Sequence, residues 1–145
     1  MQTWDKIYLA VHDLLQRKNT TAGNLWSLAH YPEYAALKNK LLSLWRTEIH
    51  HTVNLNKLLQ SLGYTQLHIM NRTINRNLDA AVIIPGAIAD KEKWLPVLEK
   101  ISQESFGNEI YAVLMLIIAD EWINIELLKE LAQEIRHTKD DSLED

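Results

Sequence analysis

Four polar residues interrupt the apolar faces of two long segments of this chain, and their types could ligate a metal ion. Glu48 and His51 stand in the first segment, and Glu121 and Asn124 stand in the second. The members of each pair are three residues apart, which places both side chains on one face of a helix. Carboxylate, imidazole and amide groups could bind iron, manganese or zinc. An ionised carboxylate in an apolar core needs a cation, a proton or hydrogen bonds.

The two segments share one pattern. In the first, steps of four and three residues define a helical face of Leu37, Leu41, Leu44, Glu48, His51, Leu55, Leu58 and Leu62. The second has the corresponding face Ile110, Leu114, Ile117, Glu121, Asn124, Leu128, Leu131 and Ile135. Corresponding positions, such as Leu37 and Ile110, are 73 residues apart. The same offset relates Val11 to Ile84 and Leu15 to Ile88, so the chain is expected to contain two similar helical hairpins.

The bulk composition is typical of a single globular domain. The 145 residues include 47% hydrophobic residues, and the formal net charge is −4. Basic residues form no concentrated stripe, so nucleic acid is not an expected partner. The absence of cysteine excludes disulfides and thiolate metal sites. The longest apolar run, Ile110 to Ala119, is too short to span a bilayer, and no signal peptide is recognised, so we expect a cytoplasmic protein without membrane contact.

The small number of helix-breaking residues, four glycines and three prolines, favours an all-helical fold. We expect a first helix from Thr3 into the high twenties and a second from Pro32 to near Gly63. A third helix should begin near Pro85 or be kinked there. A fourth should run from between Ser105 and Asn108 to about Arg136.

The segment from Tyr64 to about Asn77 has weak periodicity and is interpreted as a crossover between the hairpins. We expect one domain over residues 1–137. Residues 138–145 form an acidic tail that we expect to be disordered.

The sequence resembles the ferritin-like superfamily, which includes bacterioferritins and rubrerythrins. Glu48-Ile49-His50-His51 matches the Glu-x-x-His motif of such di-iron carboxylate proteins, and Glu121-Trp122-Ile123-Asn124 matches it with asparagine in place of histidine. The resemblance implies an antiparallel four-helix bundle of two hairpins with a crossover connection. It also implies a metal site at Glu48, His51, Glu121 and Asn124.

The family's remaining carboxylates would come from the first and third helices, and this chain departs from the pattern there. Folding each hairpin back on paper brings Leu14 or Leu15 level with Glu48, and Ala87 or Ile88 level with Glu121. The nearest polar candidates on those helices are His12, Lys18 and Lys91. A lysine could reach a core glutamate only by extending its stem along the bundle.

Three interpretations of the polar residues remain open. The four side chains could be a vestigial site whose members hydrogen-bond one another and fix the helix register. A single iron, manganese or zinc ion could be held by Glu48, His51 and Glu121, with Asn124 or water completing the site. A full dinuclear centre has too few ligands. The sequence is thus compatible with a non-catalytic bundle or with a metal-binding oxidoreductase or iron-handling protein, and it identifies no catalytic residue.

A second apolar stripe on the fourth helix concerns partners. It consists of Tyr111, Met115, Ile118, Trp122 and Ile125. One bundle core is not expected to cover two stripes of the same helix, and apolar patches of this kind mark association. We therefore expect a homodimer through this stripe, with Trp45 and Ile49 on the equivalent face of the second helix contributing.

Overall fold

A computed structural model describes residues 3–66, 73–104 and 108–144, and it confirms the all-helical prediction. The described helices are α1 (Thr3–Ala29), α2 (Lys38–Ser61), α3 (Ala80–Glu104) and α4 (Asn108–Glu144), with a 3₁₀ helix (Pro32–Leu37) before α2. Within these ranges there is no strand. None of the described helices is long and apolar enough to cross a membrane.

The boundaries of α1 and the end of α2 lie close to the predicted ones, whereas α2 begins at Lys38 and not at Pro32. α1 continues through Gly23 without interruption. The chain then turns at Tyr31 into the 3₁₀ helix that begins with Pro32, and α2 follows directly. α2 ends beside Gly63, whose φ of 85° is a conformation that glycine adopts without steric cost. The Gly63 amide donates to the carbonyl of Gln60, which satisfies a backbone group at the helix end.

The third helix was predicted to begin near Pro85 or to be kinked there, and the start near Pro85 is wrong. α3 begins at Ala80, because the Asp79 carboxylate accepts a hydrogen bond of 3.0 Å from the Ala81 amide and caps the helix there. Both Pro85 and Pro96 lie inside α3. Packing in the core therefore outweighs the loss of two backbone hydrogen bonds that the prolines impose.

α4 is longer than predicted, since it continues past Arg136 to Glu144. The structure thus places residues 140–144 of the acidic tail, which was expected to be disordered, in a helix. The physical reason is that neither glycine nor proline follows Gly107, so the sequence contains no strong terminator.

The helices bury two apolar clusters separated by a polar layer. α1 packs chiefly against α2, and α3 packs chiefly against α4. One cluster joins the first half of α1 to the second half of α2, the end of α3 and the first half of α4, as represented by Leu15, Leu59, Leu98 and Leu114. The other joins the opposite parts of the four helices. The polar layer between the clusters is where the sequence placed its candidate residues.

Candidate functional site

The structure brings the four predicted residues into the polar layer. Their exposed fractions are 1% for Glu48, 0% for His51, 4% for Glu121 and 3% for Asn124. His12 does not join them; it is half-buried and lies beside the ring of Tyr8. The layer is completed by two lysines from the other two helices, whose exposed fractions are 2% for Lys18 and 7% for Lys91.

The two ammonium groups bridge both carboxylates. Lys18 Nζ donates to Glu48 Oε2 at 3.2 Å and to Glu121 Oε1 at 2.9 Å. Lys91 Nζ donates to Glu48 Oε1 at 2.5 Å and to the two oxygens of Glu121 at 2.9 and 2.7 Å. Each helix contributes one residue to this quartet of Lys18, Glu48, Lys91 and Glu121. Two positive and two negative charges make it electrically neutral.

Helix geometry explains how the lysines reach the glutamates. The Cα–Cβ bonds of an α-helix tilt toward its N-terminus, so a long side chain covers the turn before its own position. Lys18 follows Leu14 by one turn, and Lys91 follows Ala87 by one turn. Each lysine stem therefore runs back through the core to the level of the glutamates, where α1 and α3 were predicted to carry only apolar residues.

The electrostatics of the quartet keep Glu121 and Lys91 charged. Burial alone would raise the pKa of Glu121, but the ammonium groups of Lys18 and Lys91 outweigh burial and lower this pKa to about 2. Burial alone would lower the pKa of Lys91, but Glu48 and Glu121 outweigh it and raise this pKa above its usual value. The lysines thus supply the cation without which facing carboxylates would hold a proton.

His51 links the quartet to Asp120, a partly exposed acid on α4. Its Nε2 donates to Asp120 Oδ2 at 2.7 Å, and the Asp120 side chain is 34% exposed. Burial, reinforced by Lys18, lowers the pKa of His51 despite the opposing effect of Asp120, so the ring is neutral at pH 7. Its Nδ1 is buried, lies 3.8 Å from Glu121 Oε1 and has no hydrogen-bond partner among the described residues.

A second layer of side chains closes the quartet on the side of α1 and α3. The Arg17 guanidinium bonds Asp13 at 3.0 Å and also bonds Asp90, and it lies 4.3 Å above the ring of Trp94. Arg17 and Asp90 occupy corresponding positions of the two hairpins, so their opposite charges were a sequence signal for this contact. The cavity between this layer and the quartet measures about 20 Å³, which holds about one water molecule.

The side chains of the polar layer do not form a ready metal site, although one buried nitrogen could ligate an ion. Within the described part of the chain, no group of three or more His, Asp or Glu side chains is placed to hold one. Asn124 is close to the quartet only through a long contact of 3.5 Å from Nδ2 to Glu121 Oε1. Both glutamates already accept hydrogen bonds from lysine, whereas His51 Nδ1 has a free lone pair.

The second apolar stripe predicted for α4 is only partly exposed. Tyr111, Met115 and Trp122 are 49%, 39% and 54% exposed, whereas Ile118 and Ile125 are 5% and 1% exposed and belong to the core. Their burial shows that the core side of α4 is wider than the stripe suggested. The exposed large apolar residues of this helix are Tyr111, Met115, Leu116, Trp122, Ile123 and Leu127, which we call the α4 apolar face. Trp45 is half-buried and packs against Trp26.

Comparison of the chain with protein-family models, with curated proteins and with solved structures gives no match. The class of protein defined by the fold and the site is therefore an all-helical protein with a buried lysine and glutamate quartet.

Replacement of Glu121 by glutamine should destabilise the protein strongly, because Lys18 and Lys91 would then share a single carboxylate in a buried site. We expect the free energy of unfolding to fall by about 3–5 kcal/mol in urea titrations. Glu126→Gln is the matched control, since Glu126 is exposed and lies 3.6 Å from exposed Lys129. Its effect should stay below about 1 kcal/mol. Equal losses in the two variants would contradict a stabilising role for the quartet.

Acidification should reveal the ionised state of Glu121. Its pKa falls from 4.5 to about 2 on folding, so the unfolded chain takes up the proton first as the pH drops. The resulting stabilisation is complete above about pH 4.5 and is lost toward pH 2, with a size on the order of 3 kcal/mol. Urea titrations at several pH values should show the stability gap between wild type and Glu121→Gln narrowing over this range. A gap that does not change with pH would show that folding does not lower the pKa of Glu121.

Proposed function

We propose that this chain is a non-catalytic, ferritin-like four-helix bundle that acts as a homodimer and in which two lysines have replaced the metal. The observation that carries the proposal is that Lys18 and Lys91 each bridge Glu48 and Glu121. Their two positive charges equal the charge of one divalent cation. The quartet is thereby balanced by the chain itself.

The composition of the apolar clusters supports the ferritin-like arrangement. The beginning of α1 shares a cluster with the ends of α2 and α3 and with the beginning of α4. This is expected when the helices of each hairpin are antiparallel and the two hairpins also pack in opposite directions. Since 73 residues separate both Lys18 from Lys91 and Glu48 from Glu121, the quartet would lie on the approximate twofold axis between the hairpins.

The space around the quartet supports a non-catalytic role. A substrate has to reach the reacting groups, and small-molecule sites usually measure about 300–1,000 Å³. On the side of α1 and α3, the cavity beside the quartet measures only about 20 Å³. Arg17 and Trp94 cover the quartet on that side. On the opposite side, an open groove of about 530 Å³ is lined by Asp120 and Asn124 but by none of the four quartet residues.

One observation favours a second candidate, a ferritin-like protein that binds a divalent metal and has an oxidoreductase or iron-handling function. The buried Nδ1 of His51 has no partner among the described residues, and it faces Glu121. Metal-bound histidines commonly donate their other ring N–H to a carboxylate, as His51 does to Asp120. Glu48, His51, Glu121 and Asn124 would be the ligands of iron, manganese or zinc, which would supply Lewis-acid or redox chemistry. This arrangement requires the lysines to move.

Elemental analysis of protein purified without chelator separates the two candidates. We expect less than stoichiometric iron, manganese or zinc, both as purified and after incubation with ferrous ion, because ammonium groups hold the carboxylate oxygens. Glu48→Ala serves as the reference for nonspecific metal. Stoichiometric metal that disappears in Glu48→Ala would overturn the proposal in favour of the metal-binding candidate.

A double variant, Lys18→Met and Lys91→Met, tests the replacement of metal by lysine directly. It removes two positive charges and leaves two buried carboxylates, so a divalent cation should now bind and raise the Tm. Zinc should stabilise this variant and leave the wild type unchanged. Lys57→Met and Lys100→Met, both at exposed positions, form the matched control. Equal responses of the quartet and control variants would contradict the charge equivalence.

The α4 apolar face supports association with a second copy. Its six large side chains are between 39% and 61% exposed, and no charged residue interrupts the stretch from Tyr111 to Ala119. The uncharged stretch from Tyr111 to Ala119 gives a charged partner little to recognise, but it can pack against its own symmetry mate. Crossing of two α4 helices near Ala119 would let the backbones approach closely.

We expect sedimentation equilibrium to show a dimer for the wild type and a monomer for Ile123→Glu, because the variant buries a carboxylate in an apolar interface. Val82→Glu is the control, since Val82 is also highly exposed but lies on α3. A wild type that stays monomeric at high concentration would overturn the dimer. An Ile123→Glu variant that stays dimeric would assign the interface to another surface.

A further inference from the structure

An apolar groove between α3 and α4, away from the quartet, has the dimensions of a ligand site. Its volume is about 460 Å³, within the usual range for small-molecule sites. Buried Ala80 and Ile135 line it together with half-buried Ala81, Ile88 and Ala132. It lies toward the C-terminal end of α4, beyond the α4 apolar face.

The internal repeat shows which side chains occupy the corresponding position of the first hairpin. Ile7 and Leu59 in the first hairpin are 2% and 0% exposed and fill its core. Their counterparts 73 residues later are Ala80 and Ala132. The groove therefore exists because the second hairpin carries small residues where the first carries large ones.

An aromatic ring occupies the equivalent place in the first hairpin. Tyr8 packs on the core there and stacks on Tyr64, with ring centroids 4.2 Å apart and an interplanar angle of 22°. The counterpart of Tyr8 is Ala81. A flat aromatic group could occupy the space that Tyr8 fills in the first hairpin.

The rim of the groove carries positive charge. Lys129 and Arg136 line it, and no carboxylate does so among the described residues. Arg136 is exposed, and Lys129 has only a long contact of 3.6 Å with Glu126. A planar guanidinium binds a carboxylate through two parallel hydrogen bonds. The charge at the rim thus complements a ligand with one anionic end.

We propose that this groove binds a small aromatic carboxylate, with the ring over Ala81 and Ala132 and the carboxylate at Arg136 and Lys129. The contacts that carry this inference are separate from the quartet. The site can therefore be tested whether or not the protein proves to be a metal-free ferritin-like bundle.

The test uses 2-naphthoate as the probe, with binding followed by fluorescence and by chemical-shift changes in the amides of α3 and α4. The wild type should bind it saturably. Ala81→Tyr, which restores the residue of the first hairpin, should abolish binding, and Ala132→Leu provides a second filling variant if the first does not fold. Ala89→Tyr is the matched control, because Ala89 is exposed on the same helix outside the groove. Binding that survives in folded Ala81→Tyr, or is absent from the wild type, would overturn the proposal.

The chemical class of the ligand is tested separately. Arg136→Gln should weaken 2-naphthoate binding about tenfold, and Lys57→Gln should leave it unchanged. The neutral analogue 2-naphthalenemethanol should bind weakly and should not respond to Arg136→Gln. Tighter binding of octanoate than of 2-naphthoate would overturn the aromatic assignment. Equal affinity for the neutral analogue would overturn the anionic one.

Discussion

Compensation of buried charge is the constraint on which the arrangement of all four helices depends. Glu48 and Glu121 are almost completely enclosed, where leaving a charge unpaired costs about 3–5 kcal/mol, a large part of the stability of a folded domain. Lys18 and Lys91 bring the compensation from the other two helices. Each Nζ bonds both glutamates, so removal of any one member leaves an unbalanced charge at the centre of the protein.

The quartet also restricts how the helices can align. A shift of one helix by a single turn, about 5.4 Å, would carry its charged group out of hydrogen-bond range and into an apolar cluster. Leucine and isoleucine on the same faces would tolerate such a shift far better, because apolar contacts are not directional. A buried ion cluster is weak evidence for net stability compared with an apolar core. The quartet instead destabilises misaligned packings of the helices, because they lose the charge balance.

The helical periodicity allowed the four helices to be predicted from the sequence, whereas the antiparallel arrangement and the crossover stay predictions. Glu48, His51, Glu121 and Asn124 were placed together correctly because a shared helical face follows from spacing alone. The sequence showed only that Lys18 and Lys91 could reach a core glutamate if their stems extended along the bundle. The height at which the charged group lies in the bundle depends on how far the side chain extends along the helix. Asp120 was missed because its partner, His51, is 69 residues away. Pro85 suggested a later start of α3, because the cost of proline inside a helix is visible in the sequence. The packing that outweighs this cost is not.

A comparison of the two hairpins separates residues that maintain the fold from residues available for function. Each hairpin contributes one lysine and one glutamate to the quartet, at corresponding positions of the repeat. This suits a structural role that both hairpins share. Asymmetry is concentrated elsewhere. His51 bonds Asp120. Asn124 corresponds to His51 and Thr47 corresponds to Asp120, but Thr47 instead donates to the carbonyl of Ser43 in its own helix.

The groove between α3 and α4 is a further asymmetric place. Ala81 stands at the position that corresponds to Tyr8, whose larger side chain is accommodated in the first hairpin. A vacancy of this size forfeits packing energy. Its occurrence beside two cationic side chains is most simply explained by a ligand that restores the lost contacts. The functional difference between the two halves is thus expected at the groove, while the charged centre maintains the fold common to both.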